Sequence, residues 1–128
     1  MTARLETGYT LGGPAIPAVA PLTFGSSIAV NAALGTVFTL TLTASTGTIQ
    51  NPANPQDGQI IRFRIAQDGT GSRTVSWGTA YDWGTTAGTA NSAPALTATA
   101  SKTDVLAFEY NAAASKWMYL AAAFPQGF

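Results

Sequence analysis

The stretch Gly58–Trp83, GQIIRFRIAQDGTGSRTVSWGTAYDW, decides how the rest of the chain is read. Ile61, Phe63 and Ile65 alternate with Arg62 and Arg64, a period of two that sends apolar side chains to one face of a sheet and charges to the other. Within Gln67–Ser72, Gly69 and Gly71 are free to take positive φ and Asp68 can hydrogen-bond the turn backbone. Thr74–Trp77 then resumes the alternation. The stretch therefore reads as a β-hairpin followed by an aromatic corner of Trp77, Tyr81 and Trp83.

Outward from this stretch, the composition also favours strands. Six Phe, four Tyr and three Trp, with many Val, Ile and Thr, suit pleated, half-buried surfaces and argue against disorder. The 128 residues provide for one domain around one core. Only 9% of the chain is charged and the net charge is zero, so no clustered Lys and Arg invites nucleic acid or an acidic membrane. Neither is expected as a partner. A neutral surface of apolar and small polar groups instead favours association. The absence of Cys excludes disulfide and thiolate chemistry, and His is absent too. No basic segment precedes an apolar run and no apolar stretch approaches ~18 residues, so neither a signal peptide nor a membrane span is read. Synthesis in a cytoplasm is expected.

Residues 1–20 hold no sustained period, and Gly12, Gly13, Pro14 and Pro17 break any helix or central strand. They read as an extended N-terminal arm. Its apolar Leu5, Tyr9, Leu11, Ile16 and Val19 belong either to a frayed terminus or to contacts with another subunit. Residues 21–128 read as the β-domain. Pro21–Phe24 and Ile28–Val30 suggest short strands, and Val37–Thr43 alternates Phe38, Leu40 and Leu42 inward against Thr39, Thr41 and Thr43 outward. Asn51–Gly58 is a turn cluster and Gly84–Pro94 a surface loop, followed by a short strand at Leu96–Thr99. Asp104–Tyr110 and Lys116–Phe124 form a second hairpin about the turn Asn111–Ser115. The expected fold is all-β, a single-domain antiparallel β-sandwich or jelly roll behind the arm.

Without His or Cys, acid–base or nucleophilic chemistry would fall to carboxylates, hydroxyls, Tyr or Lys. Asp57 and Asp68 stand beside glycine in turn sequences. Asp104 and Glu109 lie an odd number of residues apart on one strand, hence on opposite faces, and make no acid/base pair. Asp68–Gly71 lacks both the EF-hand spacing and a P-loop lysine, and a turn explains its glycines. Asp82, between aromatics, is the one carboxylate in a ligand-like setting, with a capping role as the stronger reading. Trp77, Tyr81 and Trp83, with Asp82 or Asn91 to bind hydroxyls, would suit a glycan; the competing reading makes them core plugs or subunit contacts. No catalytic residue, cofactor or metal site is expected.

The order of these pieces carries a resemblance. A strand ending in Gln67-Asp68-Gly69-Thr70-Gly71, a strand ending in Trp77-Gly78, a following aromatic, Leu96-Thr97, the strand Asp104-Val105-Leu106-Ala107-Phe108 and the later Trp117 together resemble a β-module recurrent in tailed-bacteriophage virion proteins. The resemblance covers the chain from Gly58 onward and brings no catalytic residues. It implies a virion component, either of the tail or of the head. With an arm before the module and little after it, the expectation is a capsid decoration, or cement, protein, commonly trimeric. Its partner on the capsid surface would be the major capsid protein, gripped through Leu5, Tyr9, Leu11, Ile16 and Val19. The alternative is a tail or tail-fibre component that binds host glycan through Trp77, Tyr81, Asp82 and Trp83.

Overall fold

The computed structural model describes residues 16–120 and 126–128. Leu5, Tyr9 and Leu11 lie outside the described residues, as does the expected end of the last strand at Phe124. The described residues form strands and no helix: β1 (Val19–Pro21), β2 (Ser27–Ile28), β3 (Val37–Leu42), β4 (Thr48–Ile49), β5 (Ile60–Gln67), β6 (Ser76–Trp77), β7 (Tyr81–Asp82), β8 (Thr85–Thr86), β9 (Thr89–Ala90), β10 (Thr103–Asn111) and β11 (Lys116–Leu120).

The first six strands wind between two sheets. The six-stranded sheet has the order β1-β3-β5-β10-β11-β7, and the three-stranded sheet β2-β4-β6. The chain thus visits the large sheet, then the small one, three times over. Successive strands within each sheet run parallel, Val19 opposite Val37 opposite Arg62 on one side and Ser27 opposite Thr48 opposite Ser76 on the other. A parallel pair needs a crossover, and here the crossover of each sheet is a strand of the other. Three turns of a flattened coil result. The β10–β11 hairpin then closes the coil on its large-sheet side, β10 pairing antiparallel with β5 and β11 parallel with β7.

One core runs through these turns. Phe38, Leu40 and Leu42 of β3, Ile61, Phe63 and Ile65 of β5, Leu106 and Phe108 of β10, and Trp117 of β11 meet Ile28 and Ile49 of the small sheet, all buried. Each such side chain contributes about 1.5–3 kcal/mol on burial. Like stacks on like between turns: Phe38 lies beside Phe63, with ring centroids 5.8 Å apart.

Two expectations hold closely. The alternating segment forms β3 with Thr41 and Thr43 exposed, and the second hairpin is β10–β11 with Phe108 opposite Tyr119. Others are corrected. Gly58–Trp83 is not a hairpin, because β5 takes β3 and β10 as neighbours while β6 joins β4 in the other sheet. The intervening residues form an arch between sheets. Its staples are Gln67, which accepts from Arg73 N and donates to the carbonyls of Arg73 and Thr97, each at 2.9 Å, and Asp68, paired with Arg73 at 3.1 Å. Such an arch and a hairpin turn ask for the same residues, so the local pattern cannot separate them. Positive φ falls on Gly71 and Ser72, not on Gly69.

The sheets are mixed where antiparallel ones were expected, since buried inner faces on both sides of the coil admit parallel neighbours. Leu96–Thr99 is an irregular segment without sheet partners; Asp104 and Gln67 hold it instead. Val19 and Ala20, read as arm, are paired with β3.

Candidate functional site

Two regions collect the residues singled out by the sequence. In the aromatic corner, β6 and β7 bring Trp77, Tyr81 and Trp83 together with Phe63, Phe108 and Tyr119. Trp77 meets Tyr81 at 5.0 Å and Trp83 at 5.3 Å, both edge-to-face, and Trp83 meets Tyr119 at 5.1 Å. This arrangement satisfies ring quadrupoles against each other. Tyr81 is buried, its hydroxyl donating to the carbonyl of Gln50 at 2.8 Å, and burial pushes its phenol well above the ordinary value. Tyr81 belongs to the core, and Trp77, Trp83 and Tyr119 are half-buried against it.

Asp82 is not with them. Neighbouring residues of a strand face opposite ways. Tyr81 sits beside Trp117 on the inner face and Asp82 beside Met118 on the outer. The exposed Asp82 carboxylate accepts from Gly84 N at 2.8 Å, turning the chain into the β8–β9 ribbon. Asn91 is likewise occupied, donating to the carbonyl of Trp83 and accepting from Thr86 Oγ1, each at 3.0 Å.

The same use recurs at every aspartate. Asp57 accepts from Ala112 N in the β10–β11 turn, and Asp68 from Thr70 N and Gly71 N. Asp104, 2% exposed, accepts from Thr97 N at 2.5 Å, Thr97 Oγ1 at 2.8 Å and Gly127 N at 3.0 Å. All four aspartates of the chain therefore hold backbone. The sequence reading used Asp104 only to exclude a pairing with Glu109 and missed its anchoring role. An acidic residue at an inward position of a strand was the available signal.

The second region is the open end of the coil. β1 and β2 are edge strands of their sheets. Beside them lies an apolar groove of about 480 Å³, lined among others by Leu22, Phe24, Val30, Leu34 and Phe38. Ile16 and Val19 are 84% and 52% exposed, and Leu34 66%. The edge is short and carries Pro21, the composition that discourages open-ended strand addition. What remains available is side-chain contact. Of the five arm residues, the structure therefore places Ile16 and Val19 exposed at this end.

Among the described residues, no group of three or more His, Cys, Asp or Glu side chains could hold a metal ion, and no helix is long and apolar enough to cross a membrane. The open end can bind apolar surface, and the four aspartates hold backbone elsewhere. Comparison with protein-family models, curated proteins and solved structures finds no match to the chain.

Proposed function

We propose that this chain is a structural protein of a tailed-phage virion, a capsid decoration protein that binds the major capsid protein shell. In this reading the two sheets form a β-sandwich, non-enzymatic, with the N-terminal arm as its anchor. The observation that carries the reading is the open end of the coil. There an apolar groove lies beside β1 and β2 with Leu34 exposed in its lining, and Ile16 and Val19 are exposed just before and within β1. Two edge strands and exposed apolar side chains at the end of a stacked β-coil are a surface to be covered. The occupation of all four aspartates by backbone groups supports a structural part, and so does the order of motifs from Gly58 onward.

The test is sedimentation of the purified protein with undecorated capsids of the phage that carries its gene. Saturable binding at a fixed number per shell, lost on deletion of residues 2–15 with folding intact, is the expected result. Sedimentation with host cells alone would replace this reading with that of a tail-fibre component.

A further inference from the structure

No described strand packs across the outward face of the six-stranded sheet, on which Val37 is 4% exposed and Arg62 and Arg64 are exposed. Pairing registers arrange its side chains in rows across the strands. One row holds Val19, Val37, Arg62, Ala107 and Leu120; the row two residues along holds Ile60, Glu109, Met118 and Asp82. Ile60 is 51% exposed. Arg62, Arg64 and Glu109 all stand on this face, and their side chains make no hydrogen bond or ion pair among the described residues. Apolar side chains with embedded arginines, and few lysines, are the make-up of an interface core.

We propose that this face pairs with the same face of a second copy, about a twofold axis running along the strands between β5 and β10. Such an axis reverses the strand order and preserves the rows, so β5 lies over β10 of the second copy and β3 over its β11. Arg62 then lies above Ala107 of the second copy, with that copy's Glu109 two residues along; a step of about 6.8 Å along the strand and about 10 Å between packed sheets puts the two backbones about 12 Å apart. The arginine and glutamate side chains together span that distance. The twofold axis makes the pairing twice. In the same superposition, Leu120 of the second copy lies over the hollow of about 310 Å³ lined, among the described residues, by Pro17, Val19, the buried Val37, Arg62, Arg64 and Val105. Charge meets opposite charge and a knob meets a hollow.

The area is sufficient. Five strands at about 4.8 Å spacing and six residues at about 3.3 Å give roughly 24 Å by 20 Å, so two faces together remove on the order of 1,000 Å². That is the lower bound of a specific interface. Aligned sheets pack with a rotation of about 30°, small enough to keep the rows in reach. The inference goes beyond capsid decoration: it concerns the sheet face around Arg62 and Glu109, whereas capsid binding concerns the arm and open end; Val19 alone belongs to both, and neither the charge reversals nor the deletion of residues 2–15 alters it, so either can fail alone. It also predicts a dimer where the resemblance implies a trimer.

The test is a charge swap followed by sedimentation velocity. The wild-type chain is expected to be a dimer at roughly 100 µM, since an interface at the low end of the specific sizes associates weakly. Arg62→Glu alone sets like charges opposite each other twice, as does Glu109→Arg alone; each should weaken the dimer at least tenfold. Mixed in equal amounts, the two variants should form a heterodimer, because every reversed charge then meets its opposite. Circular dichroism checks that each variant folds. Should a reversal unfold the chain, Arg62→Ala and Glu109→Gln replace the pair, each weakening the dimer without rescue on mixing. A monomeric or trimeric wild type, a dimer insensitive to both reversals, or the failure of two folded variants to recombine would overturn the proposal.

Discussion

Asp104 offers the sharpest test of how this coil is closed. Its carboxylate, 2% exposed, accepts from Thr97 N, Thr97 Oγ1 and Gly127 N, tying the irregular 93–98 segment and the C-terminal residues to β10. The neighbours reinforce the site: Gln126 Oε1 accepts from Val105 N at 2.6 Å, and Thr103 and Phe128 exchange backbone hydrogen bonds at 2.9 Å. A hydrogen bond to a charged group contributes about 1.5–3 kcal/mol, and a donor left without an acceptor in a buried setting costs a similar amount. Thr97 and Gly127 are half-buried, so water recovers part of the loss. Asp104→Ala should therefore cost about 3–5 kcal/mol. Asp104→Asn, which keeps one oxygen but turns an amide toward donors, should cost about 2–3 kcal/mol. Urea unfolding followed by tryptophan fluorescence measures both. With a slope of roughly 1.5 kcal/mol/M, the asparagine variant should lose about 1.3–2 M of its midpoint. The exposed Asp82→Ala, which removes one turn bond, is the control, expected to lose under about 1 kcal/mol. If Asp104→Asn and Asp82→Ala lose equally little, the anchoring role of Asp104 is wrong.

Three further outcomes follow from single sites. Arg73 and the amides of Gly71 and Thr70 hold the Asp68 carboxyl below its ordinary value of 3.8. Its contribution is therefore present above pH 3.8 and lost as the pH falls below it, so the stability gap between wild type and Asp68→Asn should shrink between pH 5 and pH 2 in urea titrations. Burial raises the Tyr81 phenol above its ordinary 10.0, so stability is fully present below pH 10 and falls as the unfolded chain ionises above it. Tyr81→Phe should lose about 1 kcal/mol at neutral pH with its bond to Gln50, and should show a shallower alkaline fall in thermal midpoint. Gly71 combines a φ of 75° with a space in which a Cβ would lie 2.6 Å from the carbonyl oxygen of Ala98. Gly71→Ala should cost about 2 kcal/mol or more, whereas Gly58→Ala, with φ 79° but open space, should cost about 1 kcal/mol; equal losses in thermal unfolding would refute the steric argument.

The aromatic corner shows how far a residue list travels without a fold. Trp77, Tyr81, Asp82 and Trp83 lie within seven positions of one another, and proximity in sequence made one ligand site of them. The pleat of β7 alone divides Tyr81 from Asp82. The rings then meet Phe63 and Phe108, which come from distant strands and draw Tyr81 into the core while Trp77 and Trp83 stay half-buried against it. The exposed end of the coil was legible only as apolar residues in an arm. That a groove lies beside them depends on Leu34 and Phe38 arriving from the next turn.

By itself the sequence determined which residues face inward. The alternation Ile61-Arg62-Phe63-Arg64-Ile65 admits one buried face, and the structure buries the three apolar members and exposes both arginines. It also determined that the chain is all-β, that Asp68 closes a turn, and that β10 and β11 pair, because a short connection leaves adjacent strands few alternatives. Only the tertiary structure decided which strands are neighbours elsewhere. A period of two fixes the face of a strand and says nothing of its partner, and Asp-Gly ends a strand without choosing between the same sheet and the opposite one. That choice rests on burial contributed by distant residues: the stacking of Phe38 on Phe63 and of Ile28 on Ile49 makes parallel turns of a coil more favourable than a local hairpin.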